Sequence, residues 1–296
     1  MLETRLLNYF LAVAQEGNVS SAAKVLHVTQ PTLSRQIAAL EKELDRQLFI
    51  RSSKGLELTE HGIILRRYAE EIVALADKAV EEVSLPAQSV SGVVHIAVGE
   101  TKIVRLLAKA VCLVQEEYPN IEFKFYSGTT ADIMENMTKG YYDFFLECEL
   151  QAHVNMNVMK IPEEDTWGLL TRKDDPLAEL DAISPADLVG VPLIVSRQGL
   201  MKRGKLADWA GGFEESFNVK AEYSLPLNLK FLVSEGVGSA IVYEGLIDTP
   251  IEGDLTFIPL DPPIVSHQGL LWRKTIPTKQ AQVFLDKMIQ VIDGDY

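Results

Sequence analysis

The chain of 296 residues is 47% hydrophobic and 24% charged, which is the composition of an ordinary globular protein with room for two or three domains. No apolar run is long enough for a membrane span, and the first residues, with Glu3 and Arg5 but no small-residue cleavage site, are unlike a secretory signal. Composition thus excludes membrane-embedded and exported classes and predicts a cytoplasmic protein with no membrane partner.

The formal net charge of −14 is unevenly distributed along the chain. Residues 1–58 carry seven Lys and Arg against six Asp and Glu, whereas residues 86–296 carry eighteen against thirty. A near-neutral N-terminal domain can bind DNA when its cations share one face, because each neutralised phosphate releases counterions. The acidic total therefore does not exclude a nucleic-acid partner.

Three helices are predicted near the N-terminus. Apolar residues recur at helical spacing over Thr4–Gln15, and Gly17 is predicted to end this first helix. Ser20 is predicted to cap a short second helix and Thr29 a third. Pro31 falls in the first turn of the third helix, where a missing N–H costs nothing.

The third helix has two distinct faces. Its predicted core face is formed by Leu33, Ile37, Leu40 and Leu44, which recur at spacings of 4, 3 and 4. Its opposite face is formed by Pro31, Arg35, Ala38 and Lys42, flanked by Thr32, Ser34 and Ala39. Such a narrow face of small, hydrogen-bonding residues suits a helix that enters the major groove of DNA. A solvated helix face is the alternative.

A short hairpin is predicted next, with strands at Leu48–Arg51 and Leu56–Leu58. Arg51 and Lys54 near its tip are placed to reach a phosphate backbone. Three helices followed by a basic-tipped hairpin describe a winged helix-turn-helix.

These residues carry a specific resemblance. The run AAKVLHVTQPTLSRQI over residues 22–37, with the later segments LE at 40–41, LFIR at 48–51 and LTEHG at 58–62, resembles the LysR-type transcriptional regulators over about sixty residues. Asp45 stands where that family usually has Gly, at a turn that requires positive φ. The further departures, Ile50 and the pair Asn18-Val19, also lie outside the groove-facing set.

The resemblance implies which side chains meet DNA. The predicted contacts are Ser20, Thr29, Gln30, Pro31, Thr32, Ser34 and Arg35 in the helix-turn-helix, and Arg51 and Lys54 in the wing. A plain first-turn residue is the alternative for Gln30.

A long helix is predicted from Thr59, its cap, to about Val83. Apolar residues repeat every 4 and 3 positions along it, at Leu65, Ala69, Ile72, Ala76, Ala79 and Val83. This seam requires a partner surface, which is either the helix's own domain or a second helix. The resemblance implies the same helix of a second subunit, so that a dimer or tetramer presents paired recognition helices to a dyad-symmetric operator. Residues 85–91 are predicted to form the linker.

From Gly92 onward the pattern alternates between strands and helices in two sets, which predicts an α/β fold with two wound halves. Strands are predicted at 93–98, 121–126, 143–148, 167–171, 192–196, 219–223, 238–243, 255–259 and 269–273, and helices at 102–117, 131–139, 227–235 and 278–292. The resemblance implies a periplasmic-binding-protein-like effector domain with a small molecule between the halves. The fold class is therefore α+β multi-domain: winged helix-turn-helix, long linker helix and α/β effector domain of two subdomains.

The predicted effector contacts are hydroxyls at strand ends: Thr101, Ser127, Thr129 and Ser196. Three of them precede helices, whose N-termini favour anions, so an anionic effector is one prediction. Each hydroxyl is equally consistent with a simple helix cap. Glu100 and Glu147 are unusual near an anion and either select an amine or face elsewhere.

Catalytic signals are absent from the sequence: it has no phosphate loop, no GxSxG and no HExxH. No enzyme activity, cofactor or metal is therefore predicted, and Cys112 and Cys148 are predicted to be buried free thiols. The predicted partners are double-stranded DNA, a small molecule and further copies of the chain, and the resemblance also allows RNA polymerase as a partner. A ligand-binding protein without operator-specific DNA binding is the alternative function.

The predicted domains are residues 1–58 for DNA binding, with the helix-turn-helix at about 18–37, then 59–91 for dimerisation, and 92–296 for effector binding. Within the last domain, subdomain I is predicted at 92–161 and 268–296, and subdomain II at 162–267, so that the chain crosses between them near residues 161 and 267.

Overall fold

The computed structural model describes residues 2–52, 55–84, 90–197 and 204–294. The predicted wing residue Lys54 and residues 85–89 of the predicted linker lie outside this described part. The chain forms two compact units, Met1–Pro86 and Ala87–Tyr296, each with its own hydrophobic core.

The N-terminal unit contains four helices and a hairpin. The elements are α1 (Thr4–Glu16), α2 (Val19–Val25), α3 (Gln30–Leu44), β1 (Phe49–Ser52), β2 (Gly55–Leu58) and α4 (Glu60–Ser84). Its core is built around Phe10, Leu33 and Leu40, each fully buried, and Ile37 also lies in it. The predicted apolar face of α3 is therefore the buried one.

The turns between these helices depend on residues that accept positive φ. Gly17 ends α1 at φ 60°, as predicted, and Asp45 ends α3 at φ 52°. The predicted cap of α2 is wrong: Asn18 is the N-cap, and its side-chain oxygen accepts the amides of Ser20 and Ser21 at 2.7 and 3.2 Å. Ser20 is the second residue of the helix, and its own amide is one of the first-turn donors that the Asn18 side chain satisfies.

Glu41 of α3 fixes the start of the wing. Its Oε1 accepts the backbone amides of Leu48 and Phe49, at 2.7 and 3.2 Å. Both of these residues are buried in the core of the unit, so their amides cannot form hydrogen bonds with water instead. The carboxylate therefore links α3 to the hairpin through two charge-assisted hydrogen bonds.

We expect Glu41→Ala to lower the free energy of unfolding of the N-terminal unit by about 2–4 kcal/mol, because it leaves two buried amides without an acceptor. Urea denaturation of the full chain, followed by circular dichroism, measures this loss. Glu16→Ala, at the exposed end of α1, is the matched control and should change stability by less than about 0.5 kcal/mol. Equal effects of the two substitutions would contradict the role of Glu41.

Helix α4 extends for 25 residues, a rod of about 38 Å. Thr59 caps it as predicted, since its hydroxyl oxygen accepts the amide of Gly62 at 3.0 Å. The predicted seam is wrong at its start: Ala69 is fully buried in the core of the N-terminal unit and Leu65 packs against that core. These two positions contact their own domain, which leaves only the later seam positions for a second helix.

Six of the apolar side chains that α4 exposes form a stripe that is rotated from the predicted seam and shares Ile72, Ala79 and Val83 with it, whereas Ile63 and Val80 are exposed outside this stripe. At 100° per residue its members fall within a sector of about 100°. We call them the α4 stripe: Ile64, Tyr68, Ile72, Leu75, Ala79 and Val83.

The C-terminal unit contains one sheet with the strand order β4-β3-β5-β11-β6-β9-β7-β8, to which β10 is added through β6. Its strands are β3 (Gly92–Val98), β4 (Ile121–Ser127), β5 (Phe144–Glu147), β6 (Met156–Arg172), β7 (Pro192–Ser196), β8 (Asn218–Tyr223), β9 (Ser239–Tyr243), β10 (Leu255–Pro259) and β11 (Val265–Arg273). Its helices are α5 (Val104–Glu117), α6 (Thr130–Lys139), α7 (Lys205–Ala210), α8 (Leu229–Ser234) and α9 (Lys279–Asp293).

Two long antiparallel strands, β6 and β11, join the halves of this unit. Strand β6 pairs with β11 through residues 156–166, and residues 167–172 pair with β9 and β10. The first half encloses a core that includes Ile96, Leu107 and Phe284, and the second half encloses one that includes Leu169 and Leu193. The prediction missed residues 156–166 of β6 and all of α7.

Cys112 corrects one prediction, because it is exposed and not buried. It lies on α5 opposite the residues Ala110 and Val114 that face the core. Cys148 is partly buried after β5. None of the described helices combines the length and apolar character that crossing a bilayer requires.

Candidate DNA-binding surface and effector cleft

The outward face of α3 is fully accessible. All of its predicted members are exposed: Pro31, Thr32, Ser34, Arg35, Ala38, Ala39 and Lys42. Gln30 and Thr29 are exposed at the start of the same helix. Within the described chain, no hydrogen bond or ion pair engages the guanidinium of Arg35. The small side chains around it leave it free to extend toward a base edge.

The tight turn before α3 determines where that helix begins. His27 adopts a left-handed conformation at φ 53°, and the amide of Val28 donates to the carbonyl of Ala23 at 3.0 Å. Thr29 occupies the N-cap position, but its hydroxyl is hydrogen-bonded to the hydroxyl of Thr32 at 2.7 Å and not to the helix backbone. The first-turn amides of α3 are therefore not occupied by the side chain of Thr29, and such amides are suited to contact a phosphate.

The remaining predicted DNA contacts lie on the neighbouring elements. Ser20 is exposed in the first turn of α2, and Arg51 is exposed on β1, opposite Leu56 of β2. The wing is held close to α1, because the amide of Leu56 donates to the carbonyl of Gly17 at 2.9 Å. The roles of Asn18 and Glu41 in positioning these surfaces were not predicted, because Ser20 is an equally suitable capping residue type and the contact of Glu41 with the hairpin depends on tertiary structure.

A cavity with about 580 Å³ of empty space, open solvent included, lies between the two halves of the C-terminal unit. Its first-half lining is Gly99, Glu100, Gly128, Thr129, Thr130 and Cys148, and its second-half lining is Trp167, Ser196, Tyr223, Ser224, Leu225, Pro226, Tyr243 and Leu246. Of the four predicted effector contacts, Thr129 and Ser196 are in this lining, whereas Thr101 and Ser127 are not.

Thr101 lies behind the cavity wall. It is buried, its hydroxyl donates to the carboxylate of Asp165, and its oxygen accepts the amide of Ile103 at 3.0 Å. Ser127 is exposed at the end of β4.

Thr129 caps α6 through a reciprocal pair of contacts. Its oxygen accepts the amide of Asp132 at 3.4 Å, and its hydroxyl donates to the Asp132 carboxylate at 2.7 Å. The chain thus places its own carboxylate at the start of this helix, where an anionic ligand was predicted.

Glu100 is the charged group of the described cavity lining. Partial burial raises the pKa of its carboxyl group, and a hydrogen bond from the amide of Leu227 opposes that shift. Since Glu100 follows β3 and Leu227 precedes α8, this bond joins the two halves. A second link runs from the ammonium of Lys102 to Glu244 at 3.4 Å.

Aromatic side chains form the second-half wall. Trp167 and Tyr243 meet edge to face, with ring centroids 4.7 Å apart. The indole N–H of Trp167 donates to Ser266 at 2.9 Å, and the hydroxyl of Tyr223 donates to the carbonyl of Ile241 at 2.8 Å. Burial, followed by the charge of Glu100, raises the pKa of Tyr223, so this phenol stays neutral and Glu100 lies near it.

A buried polar cluster adjoins this wall. Asp165 is fully buried and its Oδ2 accepts the amide of Gln268 at 2.6 Å, while its Oδ1 has no hydrogen-bond partner in the described structure. Glu147 is also buried. Its Oε2 is hydrogen-bonded to Nε2 of His153 at 2.8 Å and accepts the backbone amide of Gln151 at 3.2 Å, whereas its Oε1 has no hydrogen-bond partner among the described residues. Glu147 does not line the cavity. Nothing in the sequence distinguished Asp165 from surface acids.

The described residues contain no group of three or more His, Cys, Asp or Glu side chains arranged to hold a metal ion.

Comparison with known families matches both units. Residues 4–63 match the family described as bacterial regulatory helix-turn-helix protein, lysR family, and residues 87–292 match the LysR substrate binding domain. Among curated relatives, the chain is 28% identical over 294 residues to the HTH-type transcriptional regulator BsdA of Bacillus subtilis, covering 96% of this chain and 99% of BsdA. It is 28% identical over 251 residues to a probable RuBisCO transcriptional regulator of Cyanophora paradoxa, covering 83% of this chain and 78% of the relative.

Solved structures agree on the fold. The crystal structure of CbnR, a LysR family transcriptional regulator, superposes with a TM-score of 0.75 at 22% identity, over 98% of this chain and 99% of CbnR. Full-length CbnR in complex with its target DNA gives a TM-score of 0.74 at 23% identity, over the whole of both chains. The predicted fold class is thereby confirmed, including the two-halved effector domain.

Proposed function

This chain belongs to the LysR family of DNA-binding transcription regulators, and from that premise we propose how it binds DNA and its effector. The single observation that carries the proposal is the outward face of α3, where every groove-facing side chain is exposed. These side chains are short apart from Arg35 and Lys42, so the helix backbone can approach base edges closely.

In the proposed complex, α3 lies in the major groove. Gln30 and Arg35 contact base edges, because their side chains can form paired hydrogen bonds to adenine and guanine respectively. Ser20, Thr29, Thr32 and Ser34 contact base or phosphate, and Pro31 packs against the groove. Arg51 and Lys54 contact the backbone or minor groove from the wing.

We propose that two copies bind a dyad-symmetric operator, with the α4 stripe as the dimer contact. A rod with an exposed apolar stripe and a charged opposite face is typical of a paired helix. Two α3 helices then occupy successive half-sites. Two such dimers in a tetramer, and contact with RNA polymerase, are further parts of the proposal that rest on the family. Because the target is chromosomal DNA, we place the protein in the cytoplasm.

We propose that the cavity binds the effector, with Thr129 and Ser196 in contact with it. Thr101 and Ser127, predicted as contacts, are proposed to bind only if the halves shift, since neither lines the cavity in this structure. Family membership further suggests that the effector alters how DNA is bent or contacted and does not simply release it. Identical footprints with and without a confirmed ligand would contradict this.

A gel-shift assay with the DNA beside the protein's own gene tests the function. We expect sequence-specific retardation at moderate salt that excess non-specific DNA does not remove. A folded dimer that fails to retard this DNA specifically would instead favour the alternative function, a ligand-binding protein without an operator. A thermal-shift screen of metabolites would identify the effector, because a ligand that binds the native state raises the melting temperature.

A further inference from the structure

We propose that the effector of this regulator is a cation: a molecule with an amine or another positively charged nitrogen, bound by Glu100 and the aromatic wall of the cavity. The inference rests on the proposed function in one respect, namely that the cavity between the two halves is the effector site.

The first argument is the charge of the lining. Among the described lining residues, Glu100 is the one charged side chain, and there is no Lys or Arg. A site for a carboxylate or phosphate usually supplies a cation or several open N–H groups. The nearby Lys102 is already paired with Glu244 across the cleft, at 3.4 Å.

The second argument is that three hydrogen-bond donors of the cavity lining are already used within the protein. The hydroxyl of Thr129 donates to Asp132, that of Tyr223 to the carbonyl of Ile241, and the indole of Trp167 to Ser266. Behind the wall, Thr101 donates to Asp165. An anion that used these donors would therefore have to displace bonds that hold the cavity together.

The third argument is an excess of acceptors next to the cavity. Asp165 is fully buried, its Oδ1 has no partner among the described atoms, and it lies two residues before Trp167, hence on the same face of β6. Its charge acts directly on two lining residues, Cys148 and Tyr243, and contributes with burial to raising the pKa of each.

The same residue, Cys148, reports the sign of the local field. After burial, the causes that raise its thiol pKa are the carboxylates of Asp165, Glu149, Glu147 and Glu100. Lys205 offsets part of this charge, since it acts on Glu149, and it donates to the carbonyl of Val265 at 2.6 Å. The four carboxylates outnumber Lys205 and the His153 side chain that contacts Glu147, and this excess favours a cationic ligand.

The fourth argument is the aromatic wall. Trp167, Tyr223 and Tyr243 line the second half of the cavity opposite Glu100. Aromatic rings attract ammonium groups through their negative faces and also bury the apolar body of a ligand. A carboxylate facing aromatic rings is thus suited to an amine attached to an apolar group.

The test is a titration of the full-length chain with benzylamine and with benzoate, which share a ring but carry opposite charges at neutral pH. We expect benzylamine to raise the melting temperature and to change the tryptophan fluorescence, and benzoate to do neither, at up to about 20 mM. Glu100→Gln should weaken benzylamine binding about tenfold or more, because it removes a charge-assisted hydrogen bond. Glu100→Asp, which retains the charge, should still prefer benzylamine to benzoate.

Glu222→Gln is the matched control. Glu222 is exposed on β8 beside the lining residue Tyr223 but faces away from the cavity, so its variant should bind benzylamine like the unmodified protein. The proposal is overturned if benzoate binds at least as tightly as benzylamine, if Glu100→Gln leaves benzylamine binding intact, or if benzylamine does not bind. Operator retardation, measured on the same preparations, distinguishes a failure of the cationic-effector proposal from a failure of the proposed function. A protein that binds its operator but not benzylamine remains a regulator with another effector class.

Discussion

Arg35→Ala is expected to weaken operator binding by about 30-fold or more while leaving the dimer intact. A bidentate arginine contact to guanine contributes about 1–3 kcal/mol, and a dimer on a dyad-symmetric site makes the contact twice, so the loss is about 2–6 kcal/mol. The side chain is exposed, so its removal should not affect folding. Fluorescence anisotropy at one fixed salt concentration measures the affinity, and size-exclusion chromatography measures the dimer.

Arg35→Lys is the informative partner of this variant. Lysine keeps the charge that contacts phosphate but lacks the planar fork that matches guanine. If Arg35 reads a base, the lysine variant should keep its non-specific affinity and lose its preference for the operator. If affinity for the operator is unchanged in Arg35→Ala, the outward face of α3 does not meet DNA at this position.

The winged helix-turn-helix was predictable because its signals are local. The spacing of Leu33, Ile37 and Leu40 fixes which face of α3 is buried, and the opposite face follows from helix geometry alone. Gly17 and Asp45 both take positive φ where the pattern requires a helix to end. The cap of α2 was placed at Ser20 and not at Asn18 because both residue types cap helices, and sequence alone did not decide between them.

The register of the α4 stripe was not predictable in the same way. Leu65 and Ala69 continue the 4-3 spacing of Ile72 and Val83, so the pattern predicts that all four side chains face one surface. In the structure, the first turns of α4 lie against the core of the N-terminal unit, and Leu65 and Ala69 pack there. A helix that packs on two surfaces along its length has two overlapping apolar patterns, which one periodicity cannot separate.

The position of the cavity was predictable from the sequence, but the hydrogen-bonding partners of the nearby hydroxyls were not. The ends of the parallel strands indicated this position, and Thr129 and Ser196 line the cavity. The preference for anions was inferred from hydroxyls and helix N-termini, but their bonding partners were invisible in the sequence. Asp132 is local to Thr129, whereas Asp165 reaches Thr101 from a strand 64 residues away. Only the fold shows that these donors are already engaged.

The second large effect is expected from the α4 stripe. The double substitution Ile72→Glu and Leu75→Glu should convert the dimer to a monomer, because it places two charges on each helix in the proposed apolar contact. Ile72 and Leu75 are 42% and 47% exposed in the single chain, so the N-terminal unit should remain folded. Analytical ultracentrifugation measures the association, and circular dichroism measures the folding.

Loss of the dimer should lower operator affinity by about 100-fold or more, since a second linked half-site raises affinity by about 10²–10⁴. Ile63→Glu is the matched control: Ile63 is exposed on the same helix but lies outside the α4 stripe, so this variant should remain dimeric and bind the operator. If instead the double variant is still a dimer, another surface of the chain joins the subunits. The two α3 helices would then be spaced by that surface, and the half-site spacing in the operator would identify it, because that spacing must match the distance between the helices.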